Sequence, residues 1–369
     1  MAPRTTSATF ATVPSASPRH SGSRPDPRPD PSSEPAAGPT AAPRLRRRQL
    51  LGAGALLGLG LLGGCRRSGP NLLASRGDFP VPWSQALPSP WRLELRDDPA
   101  AVLEALAKAP PALLQLGDGW ATGLQAPSLQ AIGTEALLDR LTPQARPVSR
   151  LFAGGGPALA FPFAVSPWVL LLRNRPDLAR RSAEGWDLLL DPSLKGRLVL
   201  PSAPRLSIAL MNGDPGRLRR LRGQALAYDD RQGLNLLLGG EAEALVLPRR
   251  RVVPLLQRDP RLQALLPESG APLSWTLLLR PAAAQPPPPL EWLGAILEPP
   301  LLPRLLAAGW VPPLPREALE RACAGFPPAM RALLVPPPGV MERCTDLPPL
   351  GAAERLALQD LWDRSGAGA

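Results

Sequence analysis

Two consecutive stretches decide the fold. The first is Phe161-Pro162-Phe163-Ala164-Val165-Ser166-Pro167-Trp168-Val169-Leu170-Leu171-Leu172. The second is Trp186-Asp187-Leu188-Leu189-Leu190-Asp191-Pro192-Ser193-Leu194-Lys195-Gly196-Arg197-Leu198-Val199-Leu200-Pro201. Trp168 to Leu172 is an apolar run of strand length, and Pro176 to Arg181 opens a short helix. Asp191-Pro192 and Lys195-Gly196 punctuate turns, and Arg197 to Leu200 is a further strand. Strand, helix, turn and strand in this order describe an α/β unit with a mainly parallel sheet.

Toward the N-terminus, Ala100 to Lys108 carries Val102, Leu103, Leu106 and Ala107 on one face of a helix, and Ala112 to Leu116 is a buried strand. That strand runs into Gly117-Asp118-Gly119-Trp120, and open α/β sheets place ligands beyond the carboxyl ends of their strands. Asp118 and Trp120 are therefore pocket candidates. Gly-Asp-Gly is also ordinary turn chemistry and a Trp also packs in cores, so a purely structural role is equally open to both. Gly154-Gly155-Gly156 has neither P-loop nor dinucleotide-binding spacing and reads as a plain loop.

Toward the C-terminus, Ser166 and Trp168 stand where the chain leaves the first lobe, and Ser202, with Arg205 and Ser207, follows the strand Arg197 to Leu200. Trp168 can stack on a ligand or its cationic groups, or belong to the core. Asp229 and Asp230 precede a helix bearing Leu234, Leu237 and Leu238, where capping competes with a cleft-facing role. Arg249-Arg250-Arg251 reads as a solvated basic surface, with anion binding as the alternative. Gly270 to Pro281 contains Ser274-Trp275-Thr276 and an apolar run to Leu279, and helices follow over Leu290 to Leu297, Leu301 to Ala308, Arg316 to Ala324, Pro328 to Leu334 and Gly351 to Trp362.

The order of these segments resembles the polyamine-type (spermidine/putrescine) periplasmic solute-binding proteins of ABC importers. The resembling motifs are the Val/Phe-Pro-aromatic crossing at Phe161 to Phe163, the Trp-x-x-Leu and Asp-Pro-x-x-Lys-Gly-x-Leu pattern of Trp186 to Leu198, and Gly309-Trp310-Val311-Pro312 near the end. Together they span Trp91 to Pro313. The resemblance implies a two-lobe, type II α/β fold with a ligand cleft at the interface and a hinge near Val165 and Leu266 to Pro272. It implies lobe 1 from 91–160 and 267–325, lobe 2 from 161–266, a tether over 65–90, and a C-terminal helical extension, 326–369, lying on lobe 1. Asp118, Trp120, Ser166, Trp168, Ser202, Asp229 and Trp275 become its expected ligand contacts. No acid neighbours Trp275 along the returning strand, so a diammonium ligand would depend on Asp118, Asp229 and Asp230. The implied function is capture of a small solute, polyamine-like, and its delivery to an ABC permease. A protein of this fold kept as an assembly scaffold, with its cleft filled, is the alternative.

Composition excludes more than it indicates. The single histidine is His20, and Lys occurs only at 108 and 195. Without a histidine in the body of the chain, Ser-His-Asp and Cys-His nucleophiles and His-ligated zinc have no basis, and neither catalysis, metal nor cofactor is expected. Tyr228 is the one tyrosine, which weighs against an iron site. Of the net charge of +11, residues 1–64 supply +5 through eight arginines against Asp26, Asp30 and Glu34. What remains is mildly basic and calls for no nucleic-acid partner. A monomer is expected.

Residues 1–43 are low-complexity Pro, Ser, Ala and Arg, expected to be disordered. Arg46-Arg47-Arg48-Gln49-Leu50-Leu51, the apolar run to Leu62 and Leu62-Gly63-Gly64-Cys65 resemble a twin-arginine export signal ending in a bacterial lipobox. Cys65 would be lipidated, which holds the protein on a membrane at the periplasmic side through its acyl chains. Export permits a Cys323–Cys344 disulfide, contributing about 3 kcal/mol in the chain-entropy picture, and both thiols can equally be free.

Overall fold

The computed structural model describes residues 69–366. The leader, the export signal and Cys65 lie outside them. Ten strands form the centre: β1 (Asn71–Ser75), β2 (Arg92–Arg96), β3 (Leu113–Gly117), β4 (Leu129–Gln130), β5 (Ala160–Arg173), β6 (Leu198–Leu200), β7 (Ala225–Tyr228), β8 (Ala244–Pro248), β9 (Leu262–Leu265) and β10 (Leu273–Pro281). Their order is β2-β1-β3-β10-β5-β8-β6-β7, with β4 on β10 and β9 on β5. β1, β2 and β3 run parallel, as do β6, β7 and β8, while β5 and β10 run antiparallel to their neighbours. Strands such as Leu113–Gly117 and Ala244–Pro248 are almost continuously apolar because helices cover both faces of a parallel sheet.

The sequence stretch that opens at Phe161 forms a single 14-residue strand, β5, shared by the two halves. Ala160 to Pro167 pair with β10; from Trp168 onward the partners become β8 and β9. The change falls at Pro167, whose missing N–H leaves no ladder bond to break. Residues 266–272, between β9 and β10, make the return crossing, and the Trp168 N–H donates to the Pro272 carbonyl at 3.0 Å where the two crossings meet. A bulge opposite Thr276 and Leu277 leaves Phe163 out of the ladder and drops its ring onto Trp83, with centroids 5.0 Å apart.

Three expectations are corrected, and of the two alternatives left open for Cys323 and Cys344 the free thiols are found. The stretch 65–90, taken as a tether, contains β1, one of the strands of the sheet, and Trp83, which is fully buried. The Pro-rich flanks mask a three-residue apolar run, Leu72-Leu73-Ala74, in a strand that pairs with both β2 and β3. Arg249 is no solvated residue. It is buried and donates through its two terminal nitrogens to the carbonyls of Val165 (3.1 Å), Leu333 and Leu334 (3.0 Å each), with no carboxylate among its partners. Its burial pulls its pKa down to about 10. The terminal helix Ala352–Gly366 packs on helices Pro215–Gln224 and Pro204–Leu210 of the second half, not on the first. Cys323 and Cys344 are buried free thiols, each donating to a carbonyl of its own helical turn, Glu320 and Val340.

Candidate functional site

Both groups of parallel strands end at the same place, a cleft of about 800 Å³ between the halves. From the first half, β1 leads to Arg76-Gly77-Asp78, β2 to Asp97-Asp98 and β3 to Asp118-Gly119-Trp120. From the second, β6 leads to Ser202, β7 to Asp229-Asp230-Arg231, and β8 to Arg250 and Arg251. Trp168 on β5 and Ser274 to Thr276 on β10 line it beside the hinge.

Asp118 opens the one-turn helix Asp118–Ala121 directly after β3. Its side chain is about nine-tenths buried, and burial pushes its pKa up to about 6, against the pull of the Trp275 and Gly119 backbone N–H groups. Trp120, two residues on, lines the cleft and is 45% exposed. Trp275 is buried within the cleft wall, and its indole N–H donates to Asp346 Oδ1 at 2.7 Å. Opposite, Asp229 Oδ1 accepts from the Arg231 and Gln232 N–H groups (2.7 and 2.8 Å), and Ser202 donates through its N–H and hydroxyl to Asp230 Oδ2.

The guanidinium groups of the cleft are engaged. Arg76 pairs with Asp97 at 3.4 Å, Arg231 with Asp98 and Arg250 with Asp78 at 2.7 Å, the last two spanning from one half to the other. Arg251 donates to the Asp230 carbonyl at 2.7 Å. Asp118, Asp229 and Asp230 have no guanidinium partner among the described residues, so six cleft carboxylates face four guanidiniums. The walls thus present the rings of Trp120, Trp168 and Tyr228, with Trp275 buried behind them, and a surplus of negative charge.

Six of the seven residues expected to contact ligand therefore line one cleft: Asp118, Trp120, Trp168, Ser202, Asp229 and Trp275. Ser166 does not. It is buried, and its hydroxyl oxygen accepts the Arg250 N–H at 3.0 Å, which fixes the start of helix Arg249–Leu256. Arg205 is turned to the C-terminal segment, donating to the Leu347 and Pro348 carbonyls, and Ser207 is buried inside its helix. Asp78, Asp97, Asp98, Arg250 and Arg251 were not anticipated. Each follows the carboxyl end of a strand, the signal that found Asp118, but β1 was hidden by its proline-rich surroundings and the arginine run suggested solvent. Among the described residues no cluster of His, Cys, Asp or Glu is arranged to hold a metal ion, and no helix is long and apolar enough to cross a membrane.

No protein-family model matches the chain, and no curated protein matches it in sequence. Solved structures do match. The spermidine/putrescine ABC transporter substrate-binding protein PotD from Streptococcus pneumoniae superposes with a TM-score of 0.60 at 12% identity, covering 80% of this chain and 98% of that one. The TpPotD lipoprotein of Treponema pallidum gives 0.57 at 12% identity, over 80% of this chain and 98% of that one. Iron-bound HitA from Pseudomonas aeruginosa gives 0.55 at 14% identity, over 79% and 99%. At such identities the likeness speaks for the fold: the chain has the two-lobe α/β fold of the periplasmic binding proteins.

Proposed function

We propose that a chain with this fold and this cleft is an extracytoplasmic solute-binding protein that captures a small cationic solute, polyamine-like, between its lobes and delivers it to an ABC permease. The observation that carries the reading is the cleft's charge balance: three carboxylates without a guanidinium partner stand in a cleft that Trp120 and Trp168 line. An ammonium group entering there gains carboxylate partners and the negative faces of indole rings, contacts that a neutral sugar or an oxyanion would not replace. The named neighbours that bind spermidine or putrescine support the same class. The iron-bound neighbour supports another, but Tyr228 is the single tyrosine and His20 the single histidine of this chain.

Binding would proceed by closure about the two crossings at Pro167 and residues 266–272, bringing the strand ends of both halves onto the ligand. Asp98 with Arg231, and Asp78 with Arg250, already span the halves and would tighten as water leaves. The twin-arginine signal and Cys65 would place the protein on a membrane surface facing the permease. A cleft with room for a ligand favours transport over an assembly role, for which a filled cleft is expected.

Thermal unfolding of the protein against polyamines, amino acids, sugars and oxyanions tests this directly. A ligand at a hundred times its dissociation constant adds about 2.7 kcal/mol. Cationic amines should raise the midpoint; a rise with sugars or oxyanions alone would refute the cationic assignment.

A further inference from the structure

The C-terminal segment touches the hinge, the cleft and the second half within five residues. The Thr345 N–H donates to the Ala271 carbonyl at 3.0 Å and the Leu273 N–H to the Thr345 carbonyl at 2.8 Å, which binds the segment to the return crossing. The next residue is Asp346, whose Oδ1 accepts the Trp275 indole N–H. The two after it, Leu347 and Pro348, accept from Arg205 at 3.3 and 2.6 Å. Helix Ala352–Gly366 is held in turn by Arg222, which donates to the Trp362 carbonyl and Ser365 Oγ and lies over the Trp362 ring at 4.0 Å. Asp346 is therefore fixed by main-chain contacts on both sides, unlike an acid on a loose surface tail.

What it is fixed against is the cleft wall. Trp275 is 1% exposed, so its indole N–H would be a buried orphan without the carboxylate. Asp118 lies against the same strand, close to the Trp275 N–H, and feels the Asp346 charge. The groups facing Asp118 are Asp346 from the tail and Arg205 from helix Pro204–Leu210, and Glu354 faces Arg205 in turn. Arg205 is already committed to two carbonyls of the tail. Among the described residues Arg205 forms no ion pair with Asp118 or Asp346, so the two carboxylates at this end of the cleft have no guanidinium of their own, and burial raises the pKa of Asp346 as it does that of Asp118.

We propose that Asp346 is a positioning residue that determines specificity: it locks the Trp275 indole and sets a second negative charge behind Asp118, so that this end of the cleft takes an ammonium group in preference to a neutral polar group. The inference rests on the cationic reading of the cleft and deepens it. Asp118 touches the ligand; Asp346 acts through Trp275 and through Asp118.

The test compares 1,4-diaminobutane with 4-aminobutan-1-ol, in which one ammonium is replaced by a hydroxyl, by calorimetric titration of the protein and of Asp346→Asn. Asparagine keeps an oxygen to accept the indole N–H and removes only the charge. The variant should lose about tenfold of the preference for the diamine, the equivalent of one pKa unit, and the Asp118 titration followed by carboxyl NMR should move to lower pH. A merely structural Asp346 would leave both unchanged, and that result overturns the inference while the cationic reading stands. If the parent protein binds neither amine, the cationic reading falls and this inference with it.

Discussion

Trp83 and Trp292 differ from Trp120 and Trp168 in what their rings face. The first pair stack with centroids 4.1 Å apart, and each indole N–H donates to the other's carbonyl, at 3.0 and 3.1 Å. Phe79 and Phe163 close around them. All aromatic area and both polar tips are satisfied inside the protein. In the cleft, neither ring stacks on another aromatic ring among the described residues, and Trp275, buried in the wall behind them, is bonded through its indole N–H to a carboxylate. Aromatic surface that the protein pairs with itself contributes to folding; aromatic surface left beside unpaired acids is available to a cationic partner.

Breaking the sealed cluster should have the largest effect. Trp83→Ala leaves a cavity under Trp292 and Phe163 and should lower stability by about 3–5 kcal/mol in chemical denaturation, with ligand affinity unchanged wherever the protein is folded. Asp118→Asn sharpens the contrast from the other side. The native pKa of Asp118, about 6, lies above its unfolded value, so its stabilising contribution is complete below about pH 4 and lost as pH rises through 6. Asparagine escapes that penalty, and the variant should gain up to about 3 kcal/mol at pH 7 in denaturant titrations while its amine binding collapses. Stability and function would then move in opposite directions at one residue. Trp120→Ala is the smallest change: an exposed ring whose loss alters stability by no more than ~0.5 kcal/mol. It should still weaken amine binding several-fold by titration, since a cation–π contact at such a site is worth about 1 kcal/mol.

Much of this architecture can be read from local sequence. The apolar run Trp168 to Leu172, the turn signals at Asp191-Pro192 and Lys195-Gly196, and the helix face of Ala100 to Lys108 carry their own periodicity and became β5, the loop before β6 and helix Pro99–Lys108. Asp118, Ser202 and Asp229 reach the cleft because each stands just past a strand, and position relative to a strand end is a local signal. What escaped depends on contacts distant in sequence. Asn71–Ser75 is too short to be recognised between prolines until β2 and β3 flank it. Arg249 has the composition of a surface residue and becomes a buried one only because Val165, Leu333 and Leu334 present carbonyls to it. Asp346 follows no strand or motif, and the path of the C-terminal segment alone carries it to Trp275.

The most direct test of the central claim is tryptophan fluorescence of the protein during titration with 1,4-diaminobutane, run in parallel on Asp118→Asn. Rings at the cleft should respond and the sealed pair should not, which gives a saturable change in the parent protein that disappears in the variant. No change in the parent protein, or an equal change in both proteins, would contradict a cationic solute site in this cleft.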